Sequence, residues 1–211
     1  MTIDTGEPLR LGEEAPDFLA RTTMGPVSLS DYRGRWLVFF THPADFTPVC
    51  TSEFVAFAQM VDAFDKLDCA LLGLSVDSLF SHLAWVRAIH DRFGVNVGFP
   101  IIEDPTMVIA KAFGMVRADA ADASTVRTTM VLDPHGKLRA STSYPAEVGR
   151  SIPEILRLVT ALQRVQGGGV LAPANWTVGE DLLGEPDRSL AGIIAGDDPS
   201  GWFYRPVPDA G

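Results

Sequence analysis

The chain has 211 residues, of which 46% are hydrophobic and 21% are charged, and its formal net charge is −10. This length exceeds that of a typical single domain by roughly half, which predicts one well-filled core with an additional segment. Nucleic-acid binding needs clustered lysines and arginines, whereas those of this acidic chain are scattered. We therefore expect no nucleic-acid partner.

The N-terminal residues carry acidic side chains and no apolar run, so they do not predict a secretory signal. No segment has the length of a membrane span either. We expect a cytoplasmic protein without a membrane partner. Cys50 and Cys69 form neither a C-x-x-C motif nor a zinc-binding pattern, so we expect two free thiols, no bound metal and no cofactor.

Two nearly continuous apolar segments, residues 36–41 and 69–76, are typical of strands covered on both faces. Between them, apolar residues at helical spacing predict a helix over residues 52–67. Strand, helix and strand in this order predict a βαβ unit with a parallel strand pair.

A second helix is predicted over residues 80–93, ended by Gly94, and a third over residues 105–113. We expect the buried face of the second helix to be apolar and to consist of Leu83, Trp85, Val86 and Ile89.

Residues 128–132 and 138–142 predict two strands of an antiparallel hairpin. The residues between them, 133–136, read Asp-Pro-His-Gly and favour a tight turn. Residues 151–154 have the S-x-x-E form of a capping box, which predicts the start of an amphipathic helix over residues 155–165. The compact body is expected to end at residue 166.

Three successive glycines, 167–169, predict a hinge because they give the backbone maximal freedom. Residues 167–211 then form a C-terminal extension that keeps four large aromatic side chains, which are costly to leave in water. We expect an arm that packs onto a second subunit. These aromatic residues are Trp176, Trp202, Phe203 and Tyr204.

Cys50 lies where a buried strand, a proline-containing loop and the first turn of a helix follow one another. A helix N-terminus offers free N–H groups and a partial positive charge, both of which favour a thiolate over a thiol. Pro43 and Pro48 restrict the loop. The hydroxyl of Thr47 can bind an incoming oxygen atom.

Pro43, Thr47 and Cys50 have the spacing P-x-x-x-T-x-x-C, and this motif resembles that of the peroxiredoxins, the AhpC/TSA family. Arg127, at the head of a predicted strand, matches the arginine of the family. The resemblance extends to LSVDS, HLAW, FPII and the Tyr144-Pro145 and Gly149-Arg150 pairs. The segment HPADFTPVCTSEF and the C-terminal extension are most similar to the one-cysteine, peroxiredoxin-6-like subfamily.

The resemblance implies an α/β, thioredoxin-like fold of the peroxiredoxin type, with a central mixed sheet flanked by helices over residues 1–166. It also implies that Cys50 attacks a hydroperoxide and becomes a sulfenic acid, while Thr47 and Arg127 bind the peroxide and Pro43 shields the oxidised sulfur. Members of the subfamily carry a histidine at the position of His42, in contact with the sulfur.

Glu53 follows Cys50 by one helical turn, and two interpretations remain open for it. It either supports the site or only caps the helix electrostatically. Cys69 opens an apolar strand without a basic neighbour, and we expect a structural role. His82, His90 and His135 are expected to be exposed to solvent.

The chain has no cysteine after Cys69, so a resolving thiol in the C-terminal region is absent. We expect an external thiol reductant, namely thioredoxin, glutathione or another small thiol, and a risk of overoxidation of Cys50. The predicted assembly is a homodimer with the possibility of a higher ring.

Other functions compete with the peroxidase. An acidic oligomer could act as a holdase chaperone whose thiol senses oxidation without significant turnover. A disulfide reductase would need the absent C-x-x-C motif. A cysteine hydrolase would need a histidine base, a role that His42 could fill.

Overall fold

The computed structural model describes residues 9–116, 127–196 and 201–209. The chain divides into two compact units, of which one ends at Ile152 and the other begins at Pro153. The sequence instead places the boundary at residue 167, after the last predicted helix. The assignment of residues 167–211 to a dimerisation arm stays a prediction.

The first unit contains a seven-stranded mixed sheet with the order β2-β1-β5-β4-β3-β6-β7. Strands β3, β4 and β5 are parallel to one another, and the remaining pairs are antiparallel. The strands are β1 Leu19–Thr22, β2 Gly25–Ser28, β3 Trp36–Thr41, β4 Cys69–Ser75, β5 Ile101–Glu103, β6 Arg127–Leu132 and β7 Leu138–Tyr144. The mixed sheet confirms the predicted fold class, although β1, β2 and β5 were not identified as strands from the sequence.

Helix α1 runs from Pro48 to Lys66 and connects β3 to β4. It begins four residues before the predicted start because Pro48 occupies its first position, where a missing N–H costs nothing, with Thr47 as the N-cap. Helix α2 is Leu79–Phe93, and the short α3 is Val108–Ala112. A single 3-10 turn, Leu29–Tyr32, precedes β3.

The two central strands, β3 and β4, are buried at every position, as their continuous apolar sequences predict. Because side chains alternate along a strand, Phe39 and Phe40 point to opposite faces of the sheet. On one face, the Phe39 ring packs edge-on against Phe113 with ring centroids 5.0 Å apart. On the other face, the Phe40 ring stacks on Phe57 of α1 at 4.4 Å.

The hairpin of β6 and β7 has the predicted turn. Gly136 donates its N–H to the carbonyl of Asp133 at 2.7 Å, and its φ of +72° requires a residue without a Cβ penalty. Both strands are longer than predicted. Arg127 is the first residue of β6 and Tyr144 is its partner in the register.

The buried face of α2 differs from the prediction. His82, Trp85 and Ile89 are buried, whereas Leu83 is 43% exposed. The buried face of α2 is therefore shifted by one position relative to the predicted face. The prediction that His82 is exposed was wrong. A histidine can occupy a buried position when its nitrogens have hydrogen-bond partners, as described below. His90 and His135 are exposed, as predicted.

The second unit carries a three-stranded antiparallel sheet with the order β10-β9-β8. Helix α4, Ile152–Val165, belongs to this unit from its second residue onward. The other elements of the unit are β8 Val170–Leu171, β9 Leu182–Gly184, α5 Leu190–Ala195 and β10 Pro206–Val207. Trp176 is buried against Ala161 and Leu182, and its Nε1 donates to the Glu180 carbonyl at 3.0 Å.

Three other aromatic residues of the second unit remain accessible. Trp202, Phe203 and Tyr204 are 39%, 55% and 55% exposed. Among the helices in the described ranges, none combines the length and the apolar character needed to cross a membrane.

Replacing Phe39 by alanine should lower the free energy of unfolding by about 3–5 kcal/mol, because the ring is fully buried and its removal leaves a cavity. Urea unfolding measures this loss. Phe80→Ala is the matched control, since that ring is 80% exposed and its loss should stay within about 0.5 kcal/mol. Equal losses in the two variants would contradict the assigned core.

Candidate active site

Cys50 lies at the junction of loop and helix, as predicted, and because α1 begins at Pro48 it is the third residue of the first turn. The N–H groups of this turn have no partner within the helix, and they contribute a partial positive charge near the cysteine. The residue is fully buried. Solvation of its sulfur therefore depends on protein groups.

A guanidinium group contacts the sulfur. Arg127 NH1 donates to Cys50 Sγ at 3.3 Å and to Glu53 Oε2 at 2.7 Å. Its Nε and NH2 donate to the carbonyl of Ala146 at 3.1 and 2.7 Å. Because arginine only donates, the sulfur is the acceptor of this contact, which favours its anionic form.

Glu53, one turn after Cys50, is buried between two arginines. Burial alone would raise the pKa of its carboxyl group, but hydrogen bonds and charge from Arg150, together with the charge of Arg127, lower it below the ordinary value. Glu53 is thus an ionised member of the site. A role limited to capping the helix does not describe these contacts.

Arg150 holds Glu53 from the other side. Its backbone N–H and Nε donate to Glu53 Oε1 at 2.7 and 2.9 Å, and NH2 donates to Oε2 at 2.8 Å. NH2 also donates to the carbonyl of Thr41 at 2.9 Å, and NH1 donates to Thr129 Oγ1 at 3.2 Å. The guanidinium lies 5.0 Å from the centre of the Phe40 ring.

Sequence reasoning did not identify Arg150 as a site residue. The resemblance included the Gly149-Arg150 pair, which was the available signal. Gly149 packs closely against α1, because a Cβ at this position would lie 3.3 Å from Val49 and 3.8 Å from Glu53.

The charges around the sulfur do not balance without it. Two guanidinium groups, of Arg127 and Arg150, face one carboxylate, that of Glu53, so one positive charge is left over among these side chains. Arg127 directs an N–H at both Glu53 and Cys50. The remaining positive charge therefore favours an anion at the sulfur of Cys50, which is fully buried.

The loop between β3 and α1 carries the other residues of the sequence motif. Pro43 and Thr47 are half-buried. The hydroxyl of Thr47 donates to the carbonyl of Ala44 at 2.8 Å, and this bond fixes the rotamer of the side chain. Its oxygen retains lone pairs and can accept a further hydrogen bond.

His42 directly follows β3 and is fully buried. Its Nε2 lies 2.9 Å from Asp45 Oδ1, and its ring centre lies 4.9 Å from that of Phe54 and 5.1 Å from that of Trp85. Burial lowers the pKa of His42, although the hydrogen bond to Asp45 opposes this effect. The imidazole is therefore neutral at physiological pH.

Among the described residues, His42, Asp45 and His82 form a group whose candidate metal-binding atoms lie within 4.8 Å of one another. The contacts of these atoms are 2.9–3.1 Å between the carboxylate and the two rings, which are hydrogen-bond distances. Hydrogen bonding thus accounts for the group, and we assign no metal to it.

Cys69, the first residue of β4, is also fully buried, and both cysteines are free thiols. Burial raises the pKa of Cys69 to about 12, because the charge of Arg35 and a backbone hydrogen bond compensate only in part. This thiol stays protonated, in agreement with a structural role.

A model of the AhpC/TSA family matches residues 11–141. Peroxiredoxin 2 of Caldanaerobacter subterraneus subsp. tengcongensis is 49% identical over 180 residues, which cover 85% of this chain and 81% of that protein. The chain belongs to the AhpC/TSA family, the peroxiredoxins. Peroxiredoxins are thiol peroxidases, and the chain is therefore an enzyme of this class.

Solved peroxiredoxin structures have the same fold. A yeast mitochondrial 1-Cys peroxiredoxin is 38% identical with a TM-score of 0.85, over 95% of this chain and all of the other. A peroxiredoxin 6 of Arenicola marina is 33% identical with a TM-score of 0.81, over 94% and 96% of the two chains. Both agree with the subfamily resemblance found in the sequence.

Replacing Glu53 by glutamine should cost about 3–5 kcal/mol of stability at neutral pH, because two buried arginines lose their counterion. The folded-state pKa of Glu53 lies below the ordinary 4.5, so its contribution is present above pH 4.5 and disappears as the pH falls through the folded-state pKa. The stability difference between wild type and variant should therefore narrow in acid.

Urea unfolding at a series of pH values measures this difference. Glu147→Gln, at an exposed carboxylate, is the matched control and should change stability by no more than about 0.5 kcal/mol. A Glu53→Gln loss that is small, or that does not depend on pH, would disprove the role of this carboxylate.

Proposed function

We propose that this peroxiredoxin reduces hydrogen peroxide and organic hydroperoxides through a thiolate and sulfenic acid cycle at Cys50, by a 1-Cys mechanism. The observation that carries the proposal is the contact of 3.3 Å between Arg127 NH1 and Cys50 Sγ. It combines a nucleophilic atom with a permanent positive charge at the start of a helix.

In the first step, the thiolate of Cys50 attacks the terminal oxygen of the hydroperoxide. A sulfur–oxygen bond forms and the oxygen–oxygen bond breaks, so sulfur is oxidised by two electrons to the sulfenic acid. The other oxygen leaves as an alkoxide, or as hydroxide from hydrogen peroxide, and takes a proton from water. Negative charge thus moves from sulfur to the leaving oxygen, where a fixed guanidinium can stabilise it.

Thr47 and Arg127 are suited to orient the substrate from two sides. The Thr47 hydroxyl already donates to Ala44, so its free lone pairs can accept the O–H of the hydroperoxide. Arg127 has an N–H directed at the sulfur and can bond the peroxide oxygens next to it. Pro43, in the same loop, lacks an N–H and would shield the sulfenic acid without adding a competing donor.

An external thiol is the proposed reductant. It attacks the sulfenic acid, water leaves, and a mixed disulfide forms; a second thiol then releases Cys50 and carries away the disulfide. Cys69 is a poor internal substitute because its thiol is buried in β4 and stays protonated. The yeast 1-Cys relative is described as resolving its thiol through glutathione and thioredoxin systems.

We also propose a cytoplasmic location. Two free cysteines support it, because the cytoplasm keeps thiols reduced and supplies thiol reductants.

Cys50→Ser should reduce peroxide consumption in the presence of a generic thiol to the rate of the thiol alone, because serine provides no comparable nucleophile. Cys69→Ser is the matched control and should retain turnover. Dimedone trapping after one equivalent of peroxide, mapped by mass spectrometry, should label residue 50 and not residue 69. Peroxide consumption that survives Cys50→Ser would favour the chaperone alternative.

Assembly into a homodimer, or into a higher ring of dimers, is a second proposal. Three accessible aromatic side chains in the second unit support it, because large apolar surface of this kind is commonly covered by a partner. These residues are Trp202, Phe203 and Tyr204.

The double variant Trp202→Ser, Tyr204→Ser should therefore reduce the molar mass measured by light scattering, because the apolar contact is lost. Leu19→Ser removes an apolar side chain that is 79% exposed in the first unit and should leave the mass unchanged. An unchanged mass of the double variant would disprove this role of the aromatic residues.

A further inference from the structure

One carboxylate, Asp45, joins three parts of the chain. It lies in the loop between β3 and α1, and its side chain is almost fully buried. Its oxygens contact His42 at the end of β3 and His82 in the first turn of α2. The reaction proposed above assigns no role to Asp45 or to His82.

The hydrogen-bond partners of His82 determine its protonation. Its Nε2 lies 3.2 Å from the carbonyl oxygen of Ile102, which can only accept, so this nitrogen carries a proton. Its Nδ1 lies 3.1 and 2.9 Å from the two oxygens of Asp45. A contact to both oxygens is typical of an N–H shared by an ionised carboxylate, since a protonated acid would place its one hydrogen on one oxygen. Both ring nitrogens of His82 therefore donate.

Asp45 and His42 agree with this assignment. Burial alone would raise the pKa of Asp45, but the hydrogen bonds from His42 and His82 outweigh burial and hold the pKa far below its ordinary value. His42 is the neutral one of the two imidazole rings, with its Nε2 proton directed at Asp45 Oδ1 at 2.9 Å. Its other nitrogen, Nδ1, then carries the lone pair.

We propose that His82 is a positioning residue of the peroxidase site: a buried imidazolium, paired with the carboxylate of Asp45, that fixes the loop of residues 42–47 and holds His42 in the Nε2–H tautomer. The positioning role rests on the proposed function of Cys50, because the loop carries Pro43 and Thr47.

The backbone of the loop needs such a fixed point. Phe46, next to Asp45, has a φ of +56°, a conformation that is unfavourable for a residue with a side chain and persists only when its surroundings enforce it. The backbone N–H of Asp45 donates to Asp77 Oδ2 at 2.9 Å. Both the backbone and the side chain of Asp45 are therefore hydrogen-bonded. The position of Thr47, two residues further on, follows from this attachment.

The electrostatic surroundings support a charged pair. One imidazolium and one carboxylate cancel, so the group as a whole buries no net charge. Other charged groups near it are Asp77, which accepts from the backbone of Asp45, and Arg150, whose positive charge acts on His42. The positive charge of Arg150 lowers the pKa of His42 and so favours its neutral state.

Nuclear magnetic resonance of the isotope-labelled wild-type protein tests the charge directly. Long-range proton–nitrogen spectra distinguish an imidazolium from either neutral tautomer. From its hydrogen-bond partners, His82 should show two protonated nitrogens, and His42 should show the Nε2–H pattern. A neutral pattern for His82 would overturn the proposal.

Kinetics of Cys50 oxidation test the positioning role. His82→Gln and Asp45→Asn should each slow the reaction with hydrogen peroxide by about 10- to 100-fold, because the loop loses its fixed point. The double variant should lose little more than either single variant, since the two residues act as one pair. His90→Gln, on the exposed side of the same helix, is the matched control and should react at the wild-type rate.

Wild-type rates in His82→Gln would overturn the positioning role. Failure of this proposal can be distinguished from failure of the proposed function. The spectra report on the protonation of His82 and do not depend on Cys50. The trapping of sulfenic acid in the wild type reports on Cys50 and does not depend on His82. A variant that does not fold leaves the spectra of the wild type decisive.

Discussion

The site depends on the buried carboxylate of Glu53 between two guanidinium groups. Glu53, near the start of α1, contacts Arg127 at the start of β6 and Arg150 two residues before α4, which lie 74 and 97 positions away in sequence. Removing ions from water is costly, and hydrogen bonds from both arginines offset that cost. Because two positive charges meet one negative charge, the cluster has one positive charge available for the sulfur of Cys50. Stability and reactivity therefore depend on the same contacts.

Local sequence was sufficient for one side of this site and insufficient for the other. Pro43, Thr47 and Cys50 occupy one continuous segment, and the sequence places the cysteine at the junction between the loop and a helix. Arg127 was identified only through the resemblance, because no local pattern distinguishes it from an ordinary charge at the end of a strand. The role of Arg150 depends on a long-range contact, so nothing in its own neighbourhood predicts it.

His82 shows how a polar residue can be misjudged. The apolar pattern of α2 predicts that His82 is exposed, yet positions 82, 85 and 89 form the buried face. The deciding fact is a partner 37 positions away, Asp45, whose carboxylate satisfies the imidazole. Periodicity counts hydrophobic side chains and has no means of counting buried hydrogen bonds, so an error of one position resulted.

The two cysteines demonstrate that burial does not decide reactivity. Cys50 and Cys69 are both fully buried and both stand at the beginning of a regular element. Cys69 begins a strand inside the sheet, where desolvation raises the pKa of its thiol to about 12. Cys50 begins a helix, beside a guanidinium whose charge is only partly cancelled by Glu53. The same loss of water that makes one sulfur inert strengthens the attraction between the other and its cation, because electrostatic interactions grow as the surroundings become less polar.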